Sequence, residues 1–223
     1  MKKISHFGEA AYILGLLFLS MGTALMAKSD FGVSMVVAPA YLVSLKVDAL
    51  TFGTAEYCLQ ASLFVAMCLV IGKFRLHYCF TFLTVLLYGA ALDGWVRIFD
   101  LFPEAGLPLR IAFYVIGLPL TSLGVSLMFH SYFPPAVYEL FVKMVSARFG
   151  RDINRFKIAY DCTSLVVGIG MSFLFFGRFN GIGIGTVIAA VLNGPVIGLF
   201  SRTMEKRIDF SPRYPKLAAV FGE

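Results

Sequence analysis

Charge is scarce in this chain. Asp, Glu, Lys and Arg make up 14% of its 223 residues, where a soluble domain carries about 25%. A surface so poor in charge does not hold a fold in water, so a soluble enzyme, a nucleic-acid-binding domain and a disordered chain all fit badly. Cysteine is sparse too. Cys58, Cys68, Cys79 and Cys162 all fall inside apolar runs, with no C-x-x-C pair and no spacing to histidine that suits zinc. They read as free thiols that pack as small apolar residues. His6, His77 and His130 stand far apart. No metal and no cofactor is expected. Also missing are G-x-x-x-x-G-K-[ST], G-x-S-x-G and H-E-x-x-H, which removes the usual signs of an ATPase or a hydrolase.

What fills the chain is apolar. Hydrophobic types make up 59% of the residues and the mean hydropathy is +0.82. A membrane-crossing helix needs about 20 mainly apolar residues. Six stretches qualify: 10–27, 52–72, 78–98, 111–129, 158–176 and 182–200. Continuous apolar runs without alternation argue for helices over a barrel. The expected class is an all-α membrane protein with six spans. Met1-Lys2-Lys3 before the first run resembles the start of a signal peptide. The run is long for one and no clear small-x-small cleavage site follows it, so it is expected to stay as a span.

The net charge of +6 is a matter of topology. With a cytoplasmic N-terminus, 14 Lys and Arg fall on the inner side and 5 on the outer side. Basic residues collect on the cytoplasmic side, so both termini are expected inside. The basic excess then needs no nucleic acid.

The chain also resembles itself. Residues 13–31 and 115–133, offset by 102 positions, share eight of 19 residues, among them Gly15/Gly117, Ser20/Ser122, Gly22/Gly124, Ser29/Ser131 and Phe31/Phe133. A weaker echo at an offset of 105 pairs Thr81 with Thr186, Gly89 with Gly194 and Arg97 with Arg202. Each half has one span, a short amphipathic stretch (34–45 and 134–147) and two more spans. The short stretches cannot cross a bilayer and read as interfacial or re-entrant helices. Ser34 is the expected N-cap of the first, and Pro134 or Pro135 suits the first turn of the second. Glu139 and Lys143 have the spacing of a surface pair. Three spans per half is an odd number, so the second half would insert upside down, as in many secondary transporters. The units are then a first repeat over 1–105, a second over 106–207 and a cytoplasmic tail over 208–223.

Three stretches carry a family likeness: Gly15-Leu16 through Met26 into Phe31-Gly32-Val33-Ser34, then Leu50-Thr51-Phe52-Gly53-Thr54-Ala55, and finally Gly183-Ile184-Gly185-Thr186-Val187 through Asn193-Gly194-Pro195-Val196-Ile197. In these the chain resembles the YitT/YczE-type family of small bacterial membrane proteins. Met35 stands where that family often has proline. The resemblance implies a six-span protein of the bacterial inner membrane and names no substrate.

Polar groups within spans are costly and mark candidate sites. Glu56, with Gln60 four residues on, and Asp161 lie near span ends at matching places in the two halves. They are candidates for gating or ion coupling, against a solvated carboxylate at headgroup level. Ser20, Thr23 and Ser122 could line a central cavity, or simply let helices pack closely. Asn193 and its first-half counterpart Tyr88 are candidates for solute contact. Pro119, Gly194 and Pro195 are expected to break their helices. Asp93 and Arg97 read as an interfacial ion pair around Trp95. No catalytic residues are expected. The leading expectation is a secondary transporter of a small organic solute. The alternatives are a substrate-binding subunit that docks on a separate energising subunit, and a non-transporting scaffold or assembly factor. A homodimer is compatible with all three.

Overall fold

The computed structural model describes residues 6–72, 78–102, 106–134, 136–212 and 214. His77, Pro135 and residues 215–223 of the expected tail lie outside them. Eight helices follow one another among the described residues: α1 (Gly8–Ser29), α2 (Ala38–Lys46), α3 (Phe52–Ile71), α4 (Tyr78–Asp100), α5 (Leu107–Phe129), α6 (Val137–Arg148), α7 (Ile153–Phe176) and α8 (Ile184–Glu205). Six of them are long and apolar enough to cross a membrane. The protein is an all-α, multi-pass membrane protein.

Local chemistry sets the helix ends. The Thr51 side chain accepts from Thr54 N to start α3, and the Asp152 side chain accepts from Arg155 N to start α7. The latter cap places the start of α7 five residues before the expected span and puts Arg155 and Lys157 on the helix. Gly72 and Gly177 end the same two helices in the left-handed conformation, at φ 68° and 67°, which glycine adopts without a Cβ penalty.

Two long helices form the middle. A Cβ on Gly22 would stand 2.6 Å from Gly117 O, and one on Gly15 would stand 2.9 Å from Gly124 O. The helices therefore touch backbone to backbone at two levels. The crossed order of the contacts makes α1 and α5 antiparallel. Alongside them, α4 packs parallel to α1: Tyr12 hydroxyl bonds Thr84 Oγ1 at 2.8 Å and Lys28 pairs with Asp100 at 2.8 Å. In the same way α8 packs parallel to α5, with the Tyr114 hydroxyl donating to Gly185 O and His130 against Glu205 at 3.0 Å.

The short helices run along spans of the opposite half. Gln60 Oε1 accepts from Val137 N at 3.1 Å, and Met67 packs with Leu140 and Val145, so α6 follows α3. On the other side Lys46 Nζ donates to Phe175 O at 3.3 Å, and Ala38 lies near Gly168, so α2 follows α7. Each short helix begins deep in the bundle and ends at its surface.

Three expectations for these segments change. Val37, not Ser34, is the N-cap of α2, because the Ser34 carbonyl already accepts from Val37 N and Ala38 N at 3.0 and 2.9 Å in a preceding turn. Pro119 and Pro195 sit inside α5 and α8, which run unbroken through both prolines and through Gly194. One missing N–H is tolerated where neighbouring turns stay packed. Asp93 forms no ion pair with Arg97 among the described residues. It accepts instead from Thr51 Oγ1 at 2.6 Å and Gly53 N at 2.7 Å. The open N–H groups at the start of α3 present a better-placed donor set than an exposed guanidinium.

Candidate functional site

A cavity of about 300 Å³ lies between the two halves. Ser34 to Val37, just before α2, and Ala136, Tyr138 and Glu139, at the start of α6, both line it, so two helix N-termini border the same space. Leu19, Val125, Met128 and Ile197 give it an apolar wall. Polar groups gather at the α6 end. A separate depression of about 380 Å³ between α5 and α8 is lined by apolar side chains and by Gly185. Its walls include Ile184 and Val115, which are exposed on the outside of the bundle, and it offers no polar chemistry.

Two ends of the bundle can be distinguished. One holds the start of α1 and the finishes of α5 and α8, tied by Tyr132 hydroxyl to Glu9 at 2.8 Å and by His130 to Glu205. Burial, and then the Glu9 carboxylate, push the Tyr132 phenol up, so it stays a neutral donor to that carboxylate. The cavity extends toward this end, where Phe129 and the Lys157 side chain are 55% and 49% exposed. The opposite end is shut. There the backbone of Gly53 meets Gly89, Gly32 meets Gly183, and Gly185 N donates to Phe31 O at 2.9 Å.

At the polar end, Glu56 on α3 is completely buried. Its Oε2 accepts from the Tyr138 hydroxyl at 2.7 Å and from Gln60 Nε2 at 3.3 Å. Through its other atom, Oε1, Gln60 caps α6, so one amide links the carboxylate to the start of that short helix. Glu56 Oε1 and Glu139 Oε2 are both buried without a hydrogen-bond partner. On α7, Lys157 pairs with Asp161 at 3.5 Å, and both line the cavity. Glu139 does not face Lys143: no ion pair between them occurs among the described residues, and Glu139 lines the cavity with Lys157 and Asp161. The start of α6 is packed inside the bundle, which removes the surface that such a pair needs.

The other expected residues divide. Thr23, Tyr88, Gln60, Asp161, Asn193 and Gly194 line the cavity. Tyr88 hydroxyl donates to Thr23 Oγ1 at 3.2 Å, while Ser122 Oγ donates to Asn193 Oδ1 at 2.8 Å. Ser20 and Ser122 are fully buried and stand behind the wall. Ser20 turns its hydroxyl back to Leu17 O at 3.1 Å, because the α1–α5 seam is filled by close packing. Pro119 and Pro195 do not reach the cavity. Sequence reasoning missed Tyr138, Glu139 and Lys157 as members of the site. The i, i+4 spacing of Lys157 to Asp161 was the available signal for one of them.

No curated protein and no solved structure matches the chain. The model of a family of unknown function (DUF6198) matches residues 8–202, and the chain belongs to that family.

Proposed function

We propose that this integral membrane protein is a secondary transporter of a small organic solute, working by alternating access between two inverted halves. The observation that carries the proposal is the cavity itself, a polar-ended space between the halves that is bordered by the N-termini of both short helices. Carriers built from inverted repeats place their sites in this way. A solid apolar seam would have left no room for a guest.

The inverted relation is supported by contacts that pair off under the offset found in the sequence. Tyr12 stacks on Phe133 and Tyr114 packs against Phe31, at ring distances of 4.5 and 6.1 Å. Phe31 N donates to Ser29 Oγ and Phe133 N to Ser131 Oγ, at 3.3 and 3.0 Å. Lys28–Asp100 at one end answers His130–Glu205 at the other. Such exchange of partners is what a two-fold axis between antiparallel halves produces.

The present arrangement is the state open at the α1-start end. The basic residues concentrate on that side, which supports placing it in the cytoplasm of a bacterium, with the protein in the inner membrane. The likeness to the YitT/YczE-type family points the same way. Glu56 and Asp161 are the ion-coupling candidates, one occluded and one facing the open cavity.

The test uses Asn193→Cys in a background with the native cysteines replaced. A membrane-impermeant maleimide is applied to right-side-out and inside-out vesicles. Alternating access requires labelling from both sides. Labelling from one side only would sink the carrier reading.

A further inference from the structure

Three acidic side chains, Glu56, Glu139 and Asp161, gather with Lys157 at the polar end of the cavity. Lys157 pairs with Asp161 at 3.5 Å, and its charge also acts on Glu139, which leaves one cation among three carboxyl groups. Neither Glu56 nor Glu139 has a Lys, Arg or His partner within ion-pair distance among the described residues. Glu56 is fully buried, and its Oε1 has no hydrogen-bond partner. Its Oε2 is held by Gln60 and Tyr138, whose side chains form part of the cavity wall. Glu139, itself in the wall, has its Oε2 buried and unpartnered as well. A carboxylate whose oxygen is buried without a partner loses hydration, and a cation placed against it relieves that cost.

The surroundings narrow the kind of cation. No group of three or more His, Cys, Asp or Glu is arranged to hold a metal ion among the described residues. Tyr88 and Tyr138 line the same cavity as Glu139, and aromatic rings attract ammonium groups. Leu19, Val125, Met128 and Ile197 extend the space away from them as an apolar chamber. A volume of about 300 Å³ is at the small end of ligand sites. We propose that the solute is a small organic amine, bound as its cation. Its ammonium group lies against Glu139, with Glu56 behind Gln60 and Tyr138, and its hydrocarbon part lies in the apolar chamber. This assignment rests on the carrier reading, and it concerns the same cavity.

The test compares n-butylammonium, butan-1-ol and butyrate, which share a hydrocarbon body and differ in charge. Binding to the purified full chain in detergent is followed by tyrosine and tryptophan fluorescence, and flux is followed in proteoliposomes. The expected order is n-butylammonium tightest, with butan-1-ol weaker by roughly tenfold or more and butyrate weakest. Glu139→Gln keeps the shape of the side chain and is expected to lose roughly tenfold or more in n-butylammonium affinity while leaving butan-1-ol unchanged. Glu56→Gln, with its Tyr138 contact retained, provides a second variant, expected to weaken n-butylammonium in the same direction. Preference for butyrate, or equal binding of all three, overturns the amine assignment. So does stabilisation by sodium ions that Glu139→Gln abolishes, if n-butylammonium does not compete. Binding of n-butylammonium without flux would uphold the amine site and count against the carrier, so the two failures are distinguishable.

Discussion

A carboxylate inside a membrane protein is understood only through what it touches, and Asp93 illustrates this. On paper its partner is Arg97, one turn away on the same helix face. In the fold it reaches across to α3 and takes hydrogen bonds from Thr51 and Gly53. It thereby completes the cap of a helix that has no acidic residue in its first turn. Removing it leaves donors at that helix end unpaired. Asp93→Ala is expected to lower stability by about 1–3 kcal/mol, read as a drop in Tm of the detergent-solubilised protein. Arg97→Ala is expected to leave Tm unchanged. Equal losses from the two would restore the ion pair. The same contrast explains why Glu139 was misread. Its spacing to Lys143 is correct for a surface pair, but spacing within a helix says nothing about which of its ends is buried. Glu56, by contrast, was legible, because an acidic residue one turn into an apolar run needs a specific environment wherever the helix packs.

At the level of elements, the apolar runs announced the six spans because a bilayer sets their length. Their ends were less legible. The start of α7 lies at Ile153, among charged residues that a hydropathy reading leaves out, and only the Asp152 cap marks it. Pairing of elements depended on glycine. Gly22 and Gly124 bring α1 and α5 into backbone contact, a use of small residues that the repeat hinted at and that leaves Ser20 no cavity to line. A Cβ at Gly22 would also stand 2.6 Å from Thr121 N, and backbone on both sides cannot move aside. Gly22→Ala is therefore expected to destabilise by about 1–3 kcal/mol through overpacking. Gly94→Ala, where an added Cβ meets nothing within 4 Å, is expected to be neutral or slightly stabilising. Thermal unfolding of the two variants side by side checks this. A harmless Gly22→Ala would mean that the seam is looser than its distances imply.

For the whole molecule, the informative feature is where the pairing of contacts fails. Most contacts of one half have a counterpart in the other, yet α3 and α4 pack along each other while α7 and α8 have no comparable contact. The cavity opens beside that gap, lined by Lys157 and Asp161 on one side and Asn193, Gly194 and Ile197 on the other. If the halves exchange conformations during turnover, α7 and α8 must close as α3 and α4 part. The offset of 105 maps Gly53 and Gly89, which touch at the shut end, onto Ile158 and Gly194. In the present state Ile158 is 63% exposed, and a Cβ at Gly194 meets nothing within 4 Å. Cysteines at these two positions should therefore fail to join while the protein rests in this state. They should join under an oxidant during turnover, since a disulfide needs Cα atoms about 4.4–6.8 Å apart. The experiment uses Ile158→Cys with Gly194→Cys in a background lacking the native cysteines, with gel mobility and solute flux read together. Cross-linking that appears with turnover, stops flux and is reversed by a reductant is the expected result. Cross-linking at rest would contradict the open geometry, and unimpeded flux in the cross-linked protein would show that closure of α7 on α8 plays no part in the cycle.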